Sequence, residues 1–112
     1  MDVYLPQDIP EAWHYGKLDD WHNRVGDLIV VSHFPKVFKI GNQKVTHGKH
    51  GFDPAIKEMH ATFLAWGPQI KKSITIRPFE NVSVFPLVAD LLGLTYSFPI
   101  DGRHNVLKNI LK

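Results

Sequence analysis

Seven histidines and no cysteine set much of the side-chain chemistry open to this chain. One of them, His50, stands in the run Gly48-Lys49-His50-Gly51-Phe52-Asp53. Glycines at 48 and 51 give the backbone conformations closed to other residues, so the imidazole can project from a loop where a metal or a phosphate can approach. A neutral imidazole is a good zinc ligand, and Asp53 could hold the ring in orientation through its other nitrogen. From spacing alone, a loop histidine bonded to a carbonyl explains the same residues, and both readings stay open at this point.

The remaining candidates are weaker. His47 precedes His50 in a His-x-x-His spacing, a poor chelating pattern when it falls in a loop. His14, His22, His33, His60 and His104 read as isolated, with packing or surface roles expected for His33 and His60. Nucleophilic catalysis has little material: no serine lies in a Gly-x-Ser-x-Gly elbow, and no catalytic residue is assigned. The carboxylates Asp19, Asp20, Asp27, Asp53, Glu58, Glu80, Asp90 and Asp101 are scattered. A two-metal site needs several carboxylates and histidines around ions roughly 3.5–4 Å apart, more than this pattern gathers.

Several elements must position these residues. Val3-Tyr4-Leu5 reads as a short strand, and Pro6 and Pro10 block a long helix after it. Trp13 to Tyr15 is expected as a second short strand, and the cluster Asp19, Asp20, His22, Asn23 and Gly26 as a turn. Leu28-Ile29-Val30-Val31-Ser32-His33 is the clearest strand, apolar on both faces and expected inside a sheet. Val37 to Ile40, a Gly41-Asn42 turn and Gln43 to Thr46 predict a hairpin. Residues 47–58 read as an irregular loop with one helical turn after Pro54.

Ala61 to Trp66 is a second apolar strand, stopped by Gly67-Pro68, and Ile74 to Arg77 a brief extended piece. Val82, Phe85, Val88, Ala89 and Leu92 recur at helical spacing, with Asn81 as N-cap, Glu80 favouring the positive end of the helix and Gly93 just past its end. Pro86 gives that helix an irregular start. Val106 to Leu111 predicts a last short helix. This order, with connections too short for repeated βαβ crossovers, predicts an α+β piece or part of a larger α/β sandwich. Two strands apolar on both faces would need more helices than the chain supplies.

Composition excludes some classes. The 112 residues are 44% hydrophobic and 12% aromatic, which suits a packed core. Thirteen basic against eleven acidic side chains leave a formal charge of +2, with no run of five like charges. Aromatics are not interleaved with arginine, so no nucleic-acid-binding surface is evident. Without cysteine there are no disulfides and no thiolate ligands. No apolar stretch approaches the roughly 20 residues of a membrane span, and the first residues lack the layout of a signal peptide.

Taken together, the motifs resemble one family. Gly48-Lys49-His50-Gly51-Phe52-Asp53, Met59 to Pro68, Pro78-Phe79-Glu80-Asn81-Val82 to Leu87 and Leu91-Leu92-Gly93-Leu94 look like the nucleotide pyrophosphatase/phosphodiesterase family of the alkaline phosphatase superfamily. Val3-Tyr4-Leu5, Ile9-Pro10-Glu11, His14-Tyr15 and Arg24 to Leu28 resemble it in the same order, as does Ile100-Asp101-Gly102 to Leu111. The match covers essentially the whole chain. It implies an alkaline phosphatase-like α/β sandwich with a mixed sheet, of which residues 1–112 would be a carboxy-terminal segment of the catalytic domain. It also implies two zinc ions and a threonine nucleophile acting on nucleotide or other phosphodiester substrates. His50 maps to the one metal ligand this segment supplies; the nucleophile and the other ligands would lie on the missing amino-terminal part. One zinc would activate the threonine oxygen and the other stabilise the leaving oxygen. An extracytoplasmic location follows from the same resemblance. Pro54 departs from the family pattern, in which asparagine often follows the motif aspartate.

Two other readings stand beside it. The chain could be a free-standing, non-catalytic binding module that retains the fold of the segment. A sulfatase or phosphonate hydrolase branch of the superfamily is the third, and the Pro78 to Val82 series argues against it.

Overall fold

A computed structural model describes residues 1–112, which form two compact units, Met1–Thr62 and Phe63–Lys112. The first carries the strands and the second the helices, an α+β composition.

In the first unit β1 (Asp2–Tyr4) pairs antiparallel with β2 (Ile29–Val31), placing Asp2 opposite Val31, Val3 opposite Val30 and Tyr4 opposite Ile29. The β-branched run at 29–31 suits a pleated surface, and Val31 is buried. Between the strands, 3₁₀ turns at Pro6–Asp8 and Glu11–Trp13 begin where proline fixes φ and withholds an N–H. Trp13 to Tyr15 is therefore not a strand: Trp13 ends a 3₁₀ turn and His14 is left-handed at φ 49°. Trp13 packs edge-on against Tyr4, with ring centroids 5.4 Å apart. The turn expected at 19–26 is present, because Asp20 accepts hydrogen bonds from the amides of Arg24 and Val25, both at 2.8 Å.

The hairpin expected at 37–46 keeps its turn and loses its strands. Gly41 is left-handed at φ 57° and the Gln43 amide reaches the Ile40 carbonyl, yet no ladder flanks them. Nearly every residue of this stretch is exposed, so no buried face holds a register. Within 47–58 the helical turn is real but late, a 3₁₀ turn at Lys57–Met59.

The second unit is built on two helices. Asn81–Ser83 forms a 3₁₀ turn that runs into α1 (Val84–Leu92). Asn81 is not the cap, since neither helical piece has a side-chain cap. The α-helix starts late enough that Pro86 falls in its first turn, where a missing N–H is harmless. At the other end Gly93 is left-handed at φ 65°; Leu94 N–H reaches the Ala89 carbonyl at 2.9 Å and Gly93 N–H the Asp90 carbonyl at 3.2 Å. This closing motif uses the freedom of glycine. The last helix begins earlier than its spacing predicts, as α2 (His104–Leu107) followed by a 3₁₀ turn at Lys108–Ile110.

Ile70, Leu87, Leu107 and Ile110 make the core, with Phe63, Ile76, Phe79, Leu91, Val106 and Leu111 packed on it. The Lys71 amide reaches the Ile110 carbonyl at 2.8 Å, and the Lys112 amide reaches that of Gln69 at 3.0 Å. Together with a bridge between Ile70 and Leu111, these bonds tie the chain end to the segment after Gly67-Pro68. The strand expected at Ala61–Trp66 and the extended piece at Ile74–Arg77 form no ladder. Phe63 reaches the core, while Leu64 and Trp66 are 76% and 84% exposed.

Much apolar surface lies open. Leu18, Trp21, Ile40, Leu64 and Trp66 are all more than three-quarters exposed. The chain presents 9611 Å² of surface. A folded monomer of 12.8 kDa exposes about 6,300 Å², and even two separate globules of half that mass only roughly 7,600 Å².

Candidate metal-ligand loop

The loop around His50 takes its shape from its glycines and from an aromatic anchor. Gly48 and Gly51 are left-handed, at φ 75° and 88°, where a β-carbon would be strained. Phe52 is buried and meets Phe34 edge-on, with centroids 5.5 Å apart. The loop is thus pinned one residue past Gly51, and His50 stands exposed in the free stretch before the pin.

Asp53 turns out to be occupied locally. Its Oδ1 accepts the Ala55 amide at 2.9 Å, and its carbonyl accepts the Ile56 amide at 3.1 Å. This closes a turn of the kind aspartate favours. The Asp53 side chain also lines a hollow of about 350 Å³, together with Tyr4, Trp13, Ser32, Phe34 and an Asp2–His33 pair whose Oδ1 and Nε2 lie 2.9 Å apart. His50 is not part of that lining. The structure therefore brings Asp53 to His33 and Asp2 in one hollow, and leaves His50 on the open surface.

Histidines read as isolated do have partners. His33 pairs with Asp2, and His104 bonds both Tyr96 and Asp90. The Asp2–His33 pair follows from strand register: Asp2 stands opposite Val31, and the chain just past β2 brings His33 back to it. The His104 partners lie 8 and 14 residues away with no motif joining them, and helical spacing could not have found them.

The donor chemistry of His50 suits zinc, which takes about four ligands in tetrahedral array. No group of three or more His, Asp or Glu side chains stands close enough to hold a metal ion. The chain thus offers an accessible imidazole without assembling a complete coordination sphere.

Comparison with known proteins bears on the whole chain. Ectonucleotide pyrophosphatase/phosphodiesterase family member 3 of Rattus norvegicus is 36% identical over 97% of the chain. Family member 7 of the same species is 33% identical over 100% of it, and the venom phosphodiesterase of Macrovipera lebetinus 34% over 98%. The chain belongs to the nucleotide pyrophosphatase/phosphodiesterase family. It spans 12%, 25% and 13% of the lengths of those three relatives. No family model matches the chain, and no solved structure does. No helix is long and apolar enough to cross a membrane.

Proposed function

We propose that this chain is a carboxy-terminal segment of a zinc-dependent phosphodiesterase catalytic domain with an alkaline phosphatase-like sandwich, and that His50 supplies one of its metal ligands. Family membership carries the reading, and the loop supports it: a glycine-flanked, solvent-facing imidazole is free to meet an ion whose other ligands come from elsewhere. In the complete site two zinc ions would supply a charged template for the phosphoryl oxygens. This chain's own contribution is to hold one ion in place. Asp53, bonded to the Ala55 amide, would fix the loop's exit rather than the imidazole.

The uncovered surface favours a segment over a free-standing module. An excess of roughly 2,000 Å² beyond even two separate globules is more than the about 800 Å² that each partner of a standard protein interface buries. The substrates are nucleotides or other phosphodiesters, and the working location is extracytoplasmic. The relatives' names point the same way, since they include ectonucleotide enzymes and a venom phosphodiesterase.

The isolated chain, given zinc and bis(4-nitrophenyl) phosphate, is expected to show no turnover above buffer. Robust hydrolysis that survives His50→Ala would overturn the proposal.

A further inference from the structure

Asp90, His104 and Tyr96 form a hydrogen-bonded chain that the metal reading leaves unused. Asp90 lies near the end of α1, His104 opens α2 and Tyr96 comes from the loop between them. Tyr96 Oη is 2.5 Å from His104 Nε2, and His104 Nδ1 is 3.3 Å from Asp90 Oδ2. The two rings are parallel within 1°, with centroids 5.8 Å apart. Parallel planes joined by a 2.5 Å bond are at most that far apart, closer than the about 3.5 Å at which carbon atoms pack. The rings therefore meet at their edges rather than stack. All three groups are reachable from solvent, with His104 and Asp90 side chains 53% and 35% exposed.

A nucleophile within reach of a base that a third group orients is the recurring arrangement of an activated side chain. Here the Nδ1–H donates to Asp90, leaving Nε2 to accept from the phenol. Phe85 and Phe98 flank the Tyr96 ring at 5.2 and 5.7 Å and are themselves exposed, an apolar bed for an aryl or short acyl group.

We infer that Tyr96 is an acyl-acceptor site, activated by His104 as general base with Asp90 orienting the imidazole, and that it takes its acyl group from an activated ester. Tyr96 Oη attacks the ester carbonyl carbon while its proton passes to His104 Nε2. The bond from that carbon to the ester oxygen then breaks, and His104 returns the proton to the departing oxygen. The products are O-acyl-Tyr96 and an alcohol or phenol, with the imidazole neutral again.

The test treats the full chain with 4-nitrophenyl acetate near neutral pH and maps acetylation by peptide mass spectrometry. The chain has three tyrosines, Tyr4, Tyr15 and Tyr96. Tyr96 is expected to react at least about tenfold faster than either of the others, within the reach of general base catalysis. His104→Gln is expected to erase that advantage. Asp90→Asn is expected to slow labelling several-fold, and Asp90→Glu to restore most of it. Because the ranking of three tyrosines is read in the unaltered chain, a variant that fails to fold does not decide the matter. Labelling of Tyr96 no faster than exposed Tyr15 would overturn the inference, as would undiminished labelling in a folded His104→Gln protein.

Discussion

Gly102 packs its bare α-carbon against the carbonyl of Val82, so closely that a β-carbon built there would overlap that oxygen and stand 2.9 Å from Pro86 Cδ. The contact joins the segment before α2 to the turn that launches α1. Gly102→Ala forces one of these backbones to move, and overpacking of this kind costs about 1–3 kcal/mol. Urea unfolding should show the loss as a lower midpoint with an unchanged slope. An unshifted midpoint would mean that the two segments part readily.

Leu107 is 2% exposed and lies in the core with Ile70, Leu87 and Ile110. Leu107→Ala should cost about 2–5 kcal/mol through lost burial and the cavity left behind. Leu92, on α1 but 65% exposed, should cost less than about 1 kcal/mol on the same change. Thermal melts of the two variants side by side check this, and equal losses would contradict the assigned core.

Asp20 gives the first unit a pH-dependent turn. The amide of Arg24, then that of Val25, hold its carboxyl below the ordinary value of 3.8. The unfolded chain therefore takes up the proton before the folded one does. The contribution of this turn is complete above the ordinary carboxylate value and fades as pH falls through the lowered folded value. Protection of the Arg24 and Val25 amides against exchange, taken relative to an unstructured amide at the same pH, should be present at pH 6 and lost under strong acid. In Asp20→Ala it should be absent at both. Protection retained at both pH values in that variant would show that the carboxylate does not hold the turn.

The helix of the second unit was legible because its information is local. Apolar positions recur from Val82 to Leu92, Gly93 ends the pattern and Pro86 disturbs its start; α1 follows all three. Ile29–Val31 was legible as a strand for a similar reason, being a β-branched run with a partner at Asp2–Tyr4. It lies in a two-stranded sheet with Val30 45% exposed, and not inside a sheet as expected. The strands expected at 37–46 and 61–66 failed because apolar residues announce burial without naming what buries them. Leu64 and Trp66 stand in solvent, and no neighbouring strand takes up their backbone. At the candidate site the glycines flanking His50 carried their conformations in the sequence. The bond from Asp53 to Ala55 and the Asp90–His104–Tyr96 chain depend on how the backbone folds, and no spacing rule revealed them.

His47 and His50 should differ sharply in any complete enzyme built from this segment. The protein to test is a chimaera in which these 112 residues replace the matching stretch of the Rattus norvegicus family member 3. His47→Ala in that chimaera should leave hydrolysis of a phosphodiester within about twofold, because a loop His-x-x-His spacing does not make His47 a ligand. A large loss would make the pair a shared site.

Zinc content of the same chimaera, counted by atomic emission beside its rate of phosphodiester hydrolysis, tests the central claim most directly. The expected result is two ions per chain before substitution, and after His50→Ala about one ion with a rate lower by roughly a hundredfold or more. A His50→Ala chimaera that keeps both ions and its full rate would show that this imidazole holds no metal.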